Sequence, residues 1–191
     1  MIITITLLVL ITLGFIGYKS DWFNMEEKNR DTSIVVRDFL DMMIPHHEEA
    51  VNISRPIMND LSITEPKVRI LAANIVDTQT FEMEKMRNIY IEFLGGSYTS
   101  TTTHSMDDTK DLKGDDLAKA YVENMIKHHK DAIKVAEKYI KLIDKIRKES
   151  STESNGLIIT NSHPSIDMTY DIAKGIIQDQ KTEIEVMEGL Y

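Results

Sequence analysis

Two stretches of this chain repeat the same alternation of apolar and polar positions. Residues 38–51 read DFLDMMIPHHEEAV and residues 120–133 read AYVENMIKHHKDAI. In each, an aromatic residue, a methionine, a histidine and an alanine follow a 4-3-4 spacing: Phe39, Met43, His46 and Ala50, then Tyr121, Met125, His128 and Ala132. That spacing sets four side chains on one helix face. A second matched pair of stretches, IVDTQTFEMEKM at 75–86 and IIQDQKTEIEVM at 176–187, aligns Ile75, Gln79, Glu82 and Met86 with Ile176, Gln180, Glu183 and Met187. Each unit is therefore one His-His helix followed by one Gln-Glu helix.

Two units make a duplication rather than a solenoid, which needs at least three. The economical product is two helical hairpins packed together. His46 to His128 spans 82 residues and Gln79 to Gln180 spans 101, so the second unit carries the longer connection. Punctuation places four helices. The first runs over about 33–58, with Pro45 inside it predicting a kink just before His46. The second starts near Pro66 and stops at Gly95-Gly96. The third covers about 115–148, and the fourth runs from Pro164 to the C-terminus. No strand-turn-strand pattern appears, so the class is all-α. Residues 33–96 form the first hairpin repeat and 115–191 the second, in one bundle. Residues 97–114, rich in Ser, Thr and Asp, read as the linker between them. Residues 149–163 read as the long loop of the second hairpin.

Residues 2–18, IITITLLVLITLGFIGY, carry no charge. As a helix they span about 26 Å, close to a bilayer core, with Tyr18, Trp22 and Phe23 at the interface. No basic residue precedes the run, and its one passable small-x-small site is Thr12-Leu13-Gly14. This favours an uncleaved single-pass anchor within residues 1–24 over a cleaved signal peptide. Lys19, Lys28 and Arg30 follow it, but Asp21, Glu26 and Glu27 interleave, so the charge bias sets orientation only weakly. A formal net charge of −9 argues against nucleic acid as a partner. The absence of cysteine leaves the redox compartment open.

Four of the six histidines lie in the two His-His pairs, each with a methionine three residues ahead of the first imidazole. Within each pair the second histidine lies roughly 100° round the helix from the first. One should point inward and the other flank the seam, in an order that spacing leaves open. Di-iron bundles need Glu-x-x-His on two helices and a lone Glu on the others. Here the lone acids exist, Glu82 and Glu183, but Met43-x-x-His46 and Met125-x-x-His128 stand where Glu-x-x-His is needed. A thioether in place of a carboxylate moves the set from iron towards copper, Cu(I) above all, ahead of zinc or iron. The candidate ligands are Met43, His46, His47, Met125, His128 and His129, with Glu82, Met86, Glu183 and Met187 facing them. Gln79 and Gln180 are candidate orienters of the free imidazole N–H. The bland alternative is a buried His–Glu network among core methionines. His163, before Pro164, reads as a loop or cap residue. Asn52-Ile53-Ser54 falls inside a helix, so its glycosylation pattern reads as chance.

The duplicated Met-Ile-x-His-His-x-x-Ala and Gln-x-x-Glu-x-Glu-x-Met motifs resemble the ferritin-like family catalogued as domain of unknown function 305, over about residues 36–191. Met83 replaces the isoleucine usual after Glu82, and His104-Ser105-Met106 is a single unit of a His-Gly-Met-like linker motif. The resemblance implies a ferritin-like four-helix bundle that handles copper outside the cytosol, with His104 and Met106 as a linker site. The resulting expectation is a membrane-anchored copper-binding protein for sequestration or delivery, with the bundle on the extracytoplasmic side. A metal-dependent redox enzyme and a metal-free structural membrane protein are the rivals. No catalytic residue is assigned.

Overall fold

The computed structural model describes residues 32–96, 98, 111–152 and 163–190. They form four helices: α1 Thr32–Asn59, α2 Pro66–Phe93, α3 Gly114–Thr152 and α4 Pro164–Glu188, with no strand among the described residues. The expected anchor at 2–18, the linker pair His104 and Met106, and Leu157-Ile158-Ile159 of the second loop lie outside them.

The ends of the helices are set by the residues that the sequence marks. Glu65 caps α2 by accepting the Lys67 N–H at 3.0 Å, with Pro66 in the first turn. His163 caps α4: its Nδ1 accepts from the Ser165 N–H, and Pro164 follows. Both use the first-turn slot where proline's missing donor costs nothing. Gly95, at φ +70°, follows the Leu94 cap of α2 in the left-handed region that glycine enters freely. Arg37 of α1 donates to the Leu94 carbonyl at 2.8 Å, a cation on the negative end of α2. Gly114 opens α3 at φ +57°, and a Cβ there would meet the Ser62 carbonyl oxygen at 3.2 Å. Beside it, Asp115 accepts from Thr64 N–H at 2.8 Å and Thr64 Oγ1 at 2.6 Å. The turn of the first hairpin is thereby tied to the start of the second. α1 continues as one helix through both Pro45 and Pro56.

α1 pairs with α2, and α3 with α4; the pairs meet where α1 packs on α3 and α2 on α4. The core falls into two apolar clusters. One holds Phe39, Met43, Met83, Met86, Ala136, Tyr139, Ala173 and Ile176 among others. The second holds Ile57, Leu71, Ile75, Tyr121, Met125, Ile184 and Met187 among others. Along every helix the change from one cluster to the other falls at the motif: near His47 in α1, Gln79 in α2, His129 in α3 and Gln180 in α4. A buried polar layer of His47, Gln79, Glu82, His129 and Gln180 thus crosses the middle of the bundle.

Phe39 is fully buried and stacks on Tyr139 of the other hairpin, ring centroids 4.4 Å apart. Phe39→Ala should therefore cost about 3–5 kcal/mol in chemical denaturation, through lost transfer energy and a cavity. A loss below about 1 kcal/mol would mean this contact does not join the hairpins.

Candidate metal centre

The polar layer is built on two matched hydrogen bonds. His47 Nε2 donates to Glu82 Oε2 at 2.9 Å, and His129 Nε2 donates to Glu183 Oε2 at 2.7 Å. A carboxylate only accepts, so Nε2 carries a proton in each pair; in the tautomer a metal would bind, Nδ1 then holds the lone pair. Both imidazoles are fully buried, and neither Nδ1 has a hydrogen-bond partner among the described residues. The second histidine of each pair is thus the inward one, the order that spacing could not decide. It sits four residues after its methionine, so Met43 and His47, and Met125 and His129, are neighbours on their helices.

The first histidines meet between the hairpins. His46 and His128 rings approach to 3.7 Å between centroids, tilted by 42°. Their rings lie 6.4 Å from His47 and 6.3 Å from His129. Four imidazoles therefore run from one His–Glu pair through the bundle centre to the other. Glu49 Oε2 stands 3.6 Å from His128 Nε2, an electrostatic contact beyond hydrogen-bond length. Burial holds the His128 pKa below the ordinary 6.5, Glu49 opposing the shift and His129 and His47 adding to it.

The four motif methionines, Met43, Met86, Met125 and Met187, are all buried, two in each apolar cluster. Each hairpin thus sets its two motif thioethers on one side of the polar layer, and the two hairpins use opposite sides. Gln79 and Gln180 are buried too, and no described residue hydrogen-bonds either side-chain amide. The orienting role expected of them falls to Glu82 and Glu183, which take the imidazole N–H. Among the described residues no three His, Asp or Glu side chains are grouped to hold one ion.

Three features lie beyond the sequence reading. Tyr121 and Ser54 share a buried hydroxyl–hydroxyl hydrogen bond of 2.8 Å between the hairpins. Its signal was the phenol at the position where the first copy has Phe39. Asp179 is held above the usual carboxylate range by burial and by Glu82 and Glu183, so both glutamates lie near it. Nothing in the repeat marks it, since Thr78 is its match. Glu49 beside His128 is likewise outside the shared motif.

Residues 26–90 match the family model of DUF305, a domain of unknown function. Over these residues the chain is similar to that family. The match covers α1 and most of α2, the first copy of the motif, and bears out the resemblance read from it. Solved structures share the four-helix fold. CopM in its Cu(I)-bound form aligns at TM-score 0.58 and 22% identity, over 82% of this chain and 94% of CopM. CopM in its Ag-bound form gives TM-score 0.60 at the same identity and coverage. A DUF305 fragment from Deinococcus radiodurans gives 0.59 at 18% identity, over 82% and 94%. No curated protein sequence matches the chain.

The depressed His128 pKa makes stability pH-dependent. Above 6.5 the ring is neutral in both states. As pH falls from there towards the lower folded value, the unfolded chain takes up the proton first, and stability is lost over that window. Thermal midpoints measured from pH 7.5 to pH 5 should fall less steeply in His128→Gln than in the parent. Parallel slopes would remove His128 from the titration.

Proposed function

We propose that this protein binds copper ions inside its helical bundle, for sequestration or delivery, through Met43, His46 and His47 of one copy and Met125, His128 and His129 of the other. The observation that carries the reading is the pair of buried, partnerless Nδ1 atoms, each on an imidazole already oriented by a glutamate. Metal-binding histidines commonly donate their second N–H to a carboxylate in this way. Beside each is a buried thioether four residues back, a donor that suits Cu(I) as imidazole does. The residues therefore fit copper. Met86 and Met187 supply further sulfur from α2 and α4, while Glu82 and Glu183 act by orienting the rings. Copper itself would supply only a bound cargo ion; no reacting group is assigned to the site. The Cu(I)-, Cu(II)- and Ag-bound forms of the structural relative CopM support this choice of metal.

The reading includes a membrane anchor at 2–18, supported by its uncharged apolar sequence, with the bundle outside the cytosol. Among the described residues no helix is long and apolar enough to cross a membrane.

Full-length protein should bind Cu(I) more tightly than Fe(II) in anaerobic competition. Met43→Leu/His46→Ala/His47→Ala and Met125→Leu/His128→Ala/His129→Ala should each lose part of the copper and keep their helical circular dichroism. Iron preferred over copper, or full copper retention in both variants, would overturn the proposal. Separately, the protein should stay in the membrane pellet after an alkaline wash and retain its N-terminus by intact mass. A mature start at residue 15 or later would replace the anchor with a signal peptide.

A further inference from the structure

We infer that the outer face of α3 docks on an anionic lipid surface through a row of lysines. This rests on the membrane reading above and adds an electrostatic contact to it. From Lys127 to Lys148 every step of three or four residues lands on lysine, at 130, 134, 138, 141 and 145 between the ends. Such steps keep to one helix face, and all seven side chains are exposed. At 1.5 Å per residue the row is about 31 Å long. Met125, Ala132, Ala136, Tyr139 and Ile143, all buried, mark the opposite face of α3, so the row points away from the core. The chain's formal charge of −9 conceals it: residues 127–148 hold eight Lys or Arg against three Asp or Glu.

Two of the three acids in this span face α4: Glu137 pairs with Lys181 at 3.4 Å, and Asp144 accepts from the Tyr170 hydroxyl at 2.9 Å. The third, Asp131, pairs with Lys134 at 3.1 Å, and Glu188 of α4 reaches Lys130 at 3.3 Å; both lysines stay more than half exposed. Folding does not ask for this arrangement. Lysines four apart repel and weaken a helix, and Glu or Gln at the same exposed positions would serve the helix as well. A face kept for solubility alone mixes both signs. The chemistry of the occupant follows from what the row lacks. Among the described residues none of the exposed large apolar side chains lies on α3. The row therefore offers a protein partner no anchor to bury, and it cannot insert into the acyl region of a bilayer. A straight row of like charges on long stems fits a flat layer of anionic headgroups. Such a contact is electrostatic and is screened by salt.

The test uses full-length protein reconstituted in vesicles of phosphatidylcholine alone and in vesicles with about a third phosphatidylglycerol. A water-soluble amine-reactive reagent marks accessible lysines, and peptide mass spectrometry reads them. On anionic vesicles the row lysines from 130 to 145 should react at least about threefold more slowly than on neutral ones. Lys67 and Lys85, exposed on α2, should react alike on both. About 0.5 M salt should remove the protection and leave the protein in the pellet, which separates the row from the anchor. Lys134→Gln/Lys138→Gln/Lys141→Gln should lose the protection at Lys130 and Lys145 and keep the parent's helical circular dichroism. Equal reactivity on the two vesicle types, with the protein pelleted, would overturn the lysine contact and leave the anchor reading standing. Protein found in neither pellet would overturn both. Polyglutamate in solution protecting the row as well as anionic vesicles do would assign it to an acidic polypeptide and overturn the lipid contact.

Discussion

The bundle is organised round two histidine–glutamate hydrogen bonds, each made by a fully buried imidazole. A carboxylate placed in an apolar interior is tolerated when a donor meets it, and His47 and His129 provide that donor to Glu82 and Glu183. Removing the imidazole would leave a largely buried carboxylate without its donor, at a cost of about 1–3 kcal/mol or more for a charged group. The pairs therefore fix helix register: α1 against α2 in one hairpin, α3 against α4 in the other. Once register is fixed, Met43, Met86, Met125 and Met187 fall on either side of the polar layer. The first histidines are carried to the seam, where His46 and His128 meet.

A bundle selected for stability alone would fill this layer with leucine and isoleucine. Instead it buries four amide atoms of Gln79 and Gln180 and two imidazole nitrogens with no hydrogen-bond partner among the described residues. Groups left this way each cost about 1–3 kcal/mol. The rest of the core must offset that penalty, and it does so with close-packed apolar clusters at both ends. Marginal stability spent at one layer, with well-packed flanks, is the usual mark of a site kept for binding. The proposed copper reading gives these buried lone pairs a use.

Much of this was legible in the chain because duplication doubles every signal. The helix ends followed from Pro66, Gly95, Pro164 and the polar stretches, and α1 to α4 lie within a few residues of the expected spans. Pro45, marked as a kink site, lies inside a helix that runs unbroken from Thr32 to Asn59. Spacing assigned Met43, His46 and Ala50 to one face. It could not rank His46 against His47, because both lie within the breadth of an inward stripe. Choosing between them needs the position of Glu82 on another helix, a tertiary fact. The imidazole hydrogen bond expected of Gln79 is made by Glu82 for the same reason: both lie on one face of α2, three residues apart, and the side chain that reaches the imidazole depends on helix separation. Tyr121–Ser54 and Asp179 depart from the repeat, so a reading built on likeness between copies passed over them.

The central claim is that Glu82 and Glu183 hold the Nε2 protons so that Nδ1 of His47 and of His129 is the metal-binding atom. Imidazole nitrogen-15 chemical shifts of these two residues, recorded with and without one equivalent of Ag(I), test it most directly. The account predicts Nε2 protonated before and after addition, with the silver-induced shift confined to Nδ1 in at least one of the two rings. A shift at Nε2 with loss of its proton would contradict it, and would make the glutamates competitors for the metal rather than its supports.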